Sequence, residues 1–348
     1  MRNFDYSLLR ARTFDREVIN YIGLIHEFKG RQQLYLEQKP RELETLVEIA
    51  KIQSTESSNA IEGIATTKAR LKSLMADKTT PRDRGEKEIK GYRHVLNVIH
   101  ENFDYVPIRK NYILQLHKML YQFTEERFGG SFKDTPNEID MVYPDGRTVL
   151  LFKPLEPFET PEAVEKLCEE YDKAINKYGI DPLIAIPVFI HDFLCIHPFN
   201  DGNGRMSRLL TTLLLYKSGF VIGRYISLEK KIEITKDEYY VALQESSQNW
   251  HEEKNDDTAF IKYILGTIVA AYRDFEERVN MLGKKVSARD MVEKAIRSKI
   301  GKFTKNDIME LCPEIGRGSV ENSLKALCEE GIIKKEGQGR ATFYYTIS

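Results

Sequence analysis

Two apolar segments joined by a short polar loop constrain this chain more than any other feature. Leu183 to Phe199 is its most apolar stretch, and Arg208-Leu-Leu-Thr-Thr-Leu-Leu-Leu-Tyr216 follows closely with strong helical periodicity. The first is broken by Pro187, His191, Asp192 and His197, so it reads as a buried helix and not as a membrane span. The rest of the chain reads as mostly helical. Pro40 sits where a first-turn proline is tolerated, and the helix it opens runs through TESSNAIEG to a glycine cap at Gly63. Ile89 to Ile99, Ile113 to Leu120, Pro161 to Tyr178 and Pro182 to Ile196 carry the apolar spacing of further helices.

Composition sets outer limits. With 348 residues the chain is long for one core and is expected to form two or three domains. It is 41% hydrophobic and 30% charged, which excludes a disordered chain, and its net charge of -1 provides no global attraction to nucleic acid or anionic lipid. Cys168, Cys195, Cys312 and Cys328 are scattered, which argues against a disulfide framework or a zinc site. The first residues, MRNFDYSLLRARTFDREV, lack the apolar core of a secretory signal, so the cytoplasm is the expected location and no membrane partner is expected.

Met141 to Phe152, MVYPDGRTVLLF, breaks the helical pattern with apolar residues on either side of a Pro-Asp-Gly turn and reads as a hairpin with an open edge. A second change of character falls near Leu282 to Ser287. Beyond it, helices are expected at Ala288 to Lys299, at Lys305 to Leu311 behind a Thr304 cap, and from Ser319 to Gly331. Strands are expected at Ile332 to Glu336 and Thr342 to Ile347.

The chemistry concentrates in His197-Pro-Phe-Asn-Asp-Gly-Asn-Gly-Arg-Met-Ser-Arg208. His197 is the one group here able to act as a base near neutral pH. Asp201 is a hard oxygen ligand suited to magnesium, and Gly202 and Gly204 let the backbone approach a ligand closely. The helix that follows offers free amides and positive potential to an anion. Arg205 and Arg208, three residues apart, are expected on one face of its first turn, where guanidinium groups bind phosphate. Singly, each residue has a structural explanation; together they describe phosphoryl or nucleotidyl transfer.

This string resembles the Fic family signature H-P-F-x-D/E-G-N-G-R-x-x-R at every specified position, and the likeness extends over roughly Arg41 to Met281. The resemblance implies a mainly α fold: a helical Fic domain with a β-hairpin flap, here followed by a small winged helix-turn-helix domain. The expected division is 1–80 with an inhibitory helix, 81–281 as the Fic core, and 288–348. It also implies a protein adenylyltransferase, moving AMP from ATP to a Ser, Thr or Tyr hydroxyl of a target protein and of the enzyme itself. In that scheme His197 is the general base and Asp201 holds Mg2+. Asn203, Gly202, Gly204 and Arg205 hold the α- and β-phosphates, and Arg208 orients the γ-phosphate. Doc relatives carry lysine at the position of Gly204 and transfer the γ-phosphoryl group; glycine favours AMP. Phosphocholine transfer, known in a few relatives, stays open.

Ser58-Asn-Ala-Ile-Glu62-Gly63 resembles the family's inhibitory motif S/T-x-x-x-E-G/N, which implies that Glu62 pairs with Arg208; relatives of this class can also remove AMP, and that second activity stays open here. The hairpin fits the flap, with Met141, Val142, Tyr143, Val149 and Leu150 receiving the target; Asn137, on the approach to it, is a further candidate. Relatives commonly dimerise, so a homodimer is an expectation. From Arg289 onwards, 11 Lys+Arg face 9 Asp+Glu, a net of +2, so DNA binding through Lys334, Lys335 and Arg340 and a protein-interaction role both stay open. The alternative to an enzyme is a nucleic-acid-binding regulator whose Fic core senses nucleotide.

Overall fold

The structure is a computed structural model that describes residues 2–38, 40–142, 148–283, 287–299, 301–339 and 342–347. Helices α1 (Arg16–Gln38), α2 (Pro40–Ile61), α3 (Lys68–Met75), α4 (Arg84–Asn102) and α5 (Lys110–Tyr121) come first. Strands β1 (Ile139–Val142) and β2 (Thr148–Phe152) precede α6 (Thr160–Asn176), α7 (Pro182–Ile196), α8 (Asn203–Lys217), α9 (Leu228–Ile234), α10 (Lys236–Ser246) and α11 (Thr258–Gly283). Last come α12 (Ala288–Arg297), α13 (Lys305–Leu311), α14 (Arg317–Glu329), β3 (Ile333–Glu336) and β4 (Phe343–Thr346). These elements gather into two compact units, Met1–Gln32 with Ala50–Tyr272 and Gln33–Ile49 with Arg273–Ser348.

The first unit is built around α7 and α8. Asp181 caps α7 by accepting from the Leu183 amide at 2.8 Å, Pro182 occupies the first turn, and every residue from Leu183 to Ile196 is buried. Burying His191 and Asp192 is tolerable because both have partners. His191 Nδ1 lies 2.7 Å from the Asp257 carboxylate. Asp192 accepts from Trp250 Nε1 at 2.7 Å and from the Tyr6 hydroxyl at 2.8 Å. α8 packs on α7 and is itself buried from Arg205 to Tyr216; α6 lies against α7, and α4 against α5 and α8. α2 ends as expected, with Gly63 at φ 77° and the Ile64 amide returning to the Asn59 carbonyl at 2.9 Å.

The hairpin forms where expected. β1 and β2 pair antiparallel, Met141 opposite Val149 and Asp140 opposite Leu150, with an irregularity between Ile139 and Asp140. Of the residues expected to receive a target, Tyr143 lies outside the described residues, and Leu150 is exposed.

The second unit has its own core of Val292, Ile296, Phe303, Ile308, Val320, Leu324, Leu327 and Ile333. Capping boxes open two of its helices, Ser287 with Asp290 and Thr304 with Asp307. The third begins earlier than the expected Ser319: Gly316, extended at φ -69° and ψ 156°, takes the cap position, and α14 starts at Arg317. β3 and β4 close the unit as an antiparallel hairpin, Ile333 opposite Thr346; Arg340 lies outside the described residues.

Candidate active site

The loop between α7 and α8 is held in one shape from several sides. His197 ends α7 in the left-handed region, φ 49° and ψ 61°, a conformation that costs a residue with a side chain roughly 1–2 kcal/mol. Segment 133–137 supports that geometry. The Lys133 amide donates to the Pro198 carbonyl at 2.9 Å and its ammonium to the Ile196 carbonyl at 3.1 Å. Asn137 Nδ2 donates to the carbonyls of Phe199, at 3.0 Å, and His197, at 3.4 Å. The Phe199 ring stacks on His117, centroids 3.7 Å apart and planes 6° apart. Gly130 N donates to His117 Nδ1 at 3.0 Å, so Nε2 carries the proton that reaches the Asp201 carbonyl at 3.1 Å.

His197 Nδ1 lies 3.2 Å from the Leu194 carbonyl, which fixes the proton there and leaves Nε2 as a free lone pair. Burial, with Lys133 nearby, pulls the His197 pKa down to about 4, so the ring is neutral at ordinary pH. The same burial pulls Lys133 down to about 8.

Gly202 turns the chain into α8 at φ 84°, and a Cβ there would meet the Tyr121 hydroxyl at 2.9 Å. The first intrahelical bond runs from Met206 N to the Gly202 carbonyl at 2.9 Å, so the amides of Asn203, Gly204 and Arg205 lie ahead of the ladder. His197, Asp201, Gly202, Gly204 and Arg208 line one cleft of ≈ 720 Å³ together with Glu62, a volume in the range of ligand pockets.

Two expected phosphate ligands have partners within the protein, and one of them, Asn203, also lines the cleft. Asn203 spends its side chain on the loop, Oδ1 accepting from the Phe199 amide at 2.9 Å and Nδ2 donating to the Phe199 carbonyl at 2.7 Å. Arg205 is buried, and its guanidinium has different partners from that of Arg208. It pairs with Glu88 of α4 and donates to the Tyr121 hydroxyl of α5 at 2.7 Å. A guanidinium enclosed by those partners holds α8 against α4 and α5 and does not line the cleft.

Arg208 reaches the end of α2. Its Nε donates to Ser58 Oγ at 2.8 Å, and its Nη2 donates to the Ser58 carbonyl at 2.9 Å and to Glu62 Oε1 at 2.7 Å. Burial opposes its charge, but Glu62 and the neighbouring Tyr239 and Tyr92 leave its pKa above the ordinary value. Glu62 reaches so far in that a Cβ at Gly204 would lie 2.3 Å from its Oε1.

Asp201 Oδ1 accepts from the Gly202 amide at 2.6 Å, while Oδ2 is 3.2 Å from Arg84 Nη2. Its half-exposed carboxylate fits a hard divalent cation, since a cationic guanidinium already rests on it. Among the described residues no group of three or more His, Cys, Asp or Glu could hold a metal.

The profile of the Fic/DOC family matches residues 107–215. A Fido domain-containing protein of Dictyostelium discoideum is 31% identical over 122 residues, 34% of this chain and 80% of that protein. The chain belongs to the Fic/DOC family. A Fic family protein from Desulfovibrio desulfuricans shares its fold, with a TM-score of 0.62 at 22% identity over 97% of both chains. The protein adenylyltransferase fic-1 of Caenorhabditis elegans is 32% identical over 69 residues, which cover 20% of this chain and 13% of that protein. No helix among the described residues is long and apolar enough to cross a membrane.

The structure brings His197, Asp201, Gly202, Asn203, Gly204 and Arg208 together with Ser58 and Glu62. It also gives parts to residues the sequence did not single out: His117 and Lys133 under the loop, Glu88 and Tyr121 around Arg205, and Arg84 over Asp201. Of these, Lys133 alone stands in a segment that resembles the family, GGSFKDTPNEI on the approach to the hairpin. Only Asn137, on the approach to the hairpin, was marked from sequence.

Proposed function

We propose that this Fic domain transfers AMP from ATP to a hydroxyl of a protein, and that Glu62 restrains the reaction. The observation that carries the proposal is the cleft itself, in which a neutral imidazole faces the same space as the first turn of a helix and a half-exposed carboxylate. His197 Nε2 takes the proton of the incoming hydroxyl. The hydroxyl oxygen attacks the α-phosphorus, the bond from that phosphorus to the bridging oxygen breaks, and pyrophosphate departs. The amides at the start of α8 receive phosphate oxygens, and the braced loop keeps His197 in place, so most of the acceleration comes from positioning and charge. Asp201 would hold Mg2+, which supplies positive charge to the phosphates when bound. The open edge of the β1–β2 hairpin would receive a target segment in extended form.

Arg208 is the second cation on α8, and in this arrangement it serves Glu62 and Ser58. A triphosphate bound in that state lacks the arginine for its γ-phosphate. The nucleic-acid alternative draws less support: on α14 and its neighbour, Arg317 and Lys305 both pair with Glu321, at 2.9 and 2.6 Å, which leaves little uncompensated positive charge there. The test is transfer of label from α-labelled ATP to protein. With Glu62→Gly as the active background, His197→Ala should lose at least about a hundredfold in labelling while still binding ATP, the usual size of a lost general base. Undiminished labelling would remove His197 from the mechanism.

A further inference from the structure

Arg84 opens α4 beside the cleft, and its guanidinium is divided among three carboxylates. Nε lies 2.6 Å from Glu88 Oε1, Nη1 2.9 Å from Glu126 Oε1, and Nη2 3.2 Å from Asp201 Oδ2. The two oxygens of Asp201 are not equivalent. Oδ1 is turned into the protein, taken by the Gly202 amide at 2.6 Å and approached by Arg205 Nη2 at 3.5 Å. Oδ2 is the oxygen that Arg84 covers.

The two arginines around Asp201 also differ in freedom. The Arg205 side chain is 1% exposed and fixed by Glu88 and Tyr121, whereas that of Arg84 is 56% exposed. Arg84 is held by three carboxylates but is open to solvent, so its side chain can swing away from Asp201 into water.

We infer that Arg84 occupies the cation position on Asp201 and competes there with the divalent metal of a metal–nucleotide, so that Arg84 sets how readily the site loads. The inference rests on the reading of Asp201 as the metal-holding carboxylate. A cation binding Oδ2 is disfavoured by a guanidinium at hydrogen-bond distance on the same oxygen, because the two positive charges repel and draw on the same electron density. Arg84 thereby neutralises Asp201 and holds its rotamer before nucleotide arrives. This restraint is separate from the one at Glu62: that pair withholds an arginine from the triphosphate, and this pair withholds a carboxylate from the metal.

The test uses Mn2+ as the probe, read by the electron paramagnetic resonance of the free ion. The full-length chain is titrated in the presence of a non-hydrolysable ATP analogue, so that binding is measured without transfer. Wild type is compared with Arg84→Ala, Arg84→Lys, Asp201→Ala and Lys87→Ala. Lys87 lies on the same helix, pairs with Glu125 at 3.0 Å and carries the same charge, so its variant reports the general field. Arg84→Ala should bind Mn2+ about three- to tenfold more tightly, Arg84→Lys should fall between it and wild type, and Lys87→Ala should stay within about twofold of wild type. Asp201→Ala should bind at least about tenfold more weakly. If Asp201→Ala binds like wild type, the metal reading of Asp201 falls and this inference with it. If Asp201→Ala weakens binding but Arg84→Ala does not tighten it, or Lys87→Ala matches Arg84→Ala, only the role of Arg84 is overturned.

Discussion

At position 204 a missing Cβ makes room for a carboxylate. Alanine there would put a carbon 2.3 Å from Glu62 Oε1, so the Glu62–Arg208 pair has to shift. Position 204 also lies in the first turn of α8, where exchanging glycine for alanine ordinarily stabilises a helix by roughly 0.5–1 kcal/mol. The two effects oppose each other, and Glu62 decides the sign. Gly204→Ala should therefore lower stability in the wild-type background and raise it in a Glu62→Gly background. Chemical denaturation of the four proteins checks this, and equal effects in both backgrounds would mean that Glu62 does not occupy that space. His197 supports a second prediction at this scale. Burial depresses its pKa to about 4, so the neutral form persists as pH falls and protonation comes only near that value. Imidazole NMR of the protein without nucleotide should show a neutral His197 ring from pH 8 to about 5.5, protonated on Nδ1. A midpoint near the ordinary 6.5 would mean that the ring is solvated.

Among the elements, those that bury a continuous stripe were the legible ones. The apolar run of α7, the leucines of α8 and the glycine that stops α2 could each be read from a few neighbouring residues, and the hairpin from its turn. α1 and α10 bury little along their length; α10 buries only Tyr239, Ala242 and Ser246, so its pattern is faint even though it lines the cleft. The start of α14 slipped because Gly316 supplies the cap in place of a hydroxyl residue. Arg205 is the instructive case. Spacing places it one turn before Arg208, but its direction is decided by Glu88 and Tyr121, 117 and 84 residues away. His117 and Lys133 were invisible for the same reason, since their partners are carbonyls of a distant loop.

The proposed restraint belongs to the whole molecule, because Glu62 and Arg208 stand 146 residues apart and meet only in the folded chain. Ser58 and Glu62 are one helical turn apart at the end of α2, which lets one arginine bind both. A charge-assisted contact of this kind is strong where it is shielded, and here Arg208 is buried while Glu62 is about one-third exposed. Removing Glu62 leaves a buried guanidinium without its counter-ion, a cost on the order of 1–3 kcal/mol that bound ATP would offset. The most direct measurement is self-labelling with α-labelled ATP, compared among wild type, Glu62→Gly, Arg208→Ala and the double variant. The account predicts that Glu62→Gly labels at least about tenfold more than wild type, a change equivalent to about 1.4 kcal/mol, and that Arg208→Ala abolishes the gain. Labelling by a folded, ATP-binding Glu62→Gly that does not exceed wild type would contradict it.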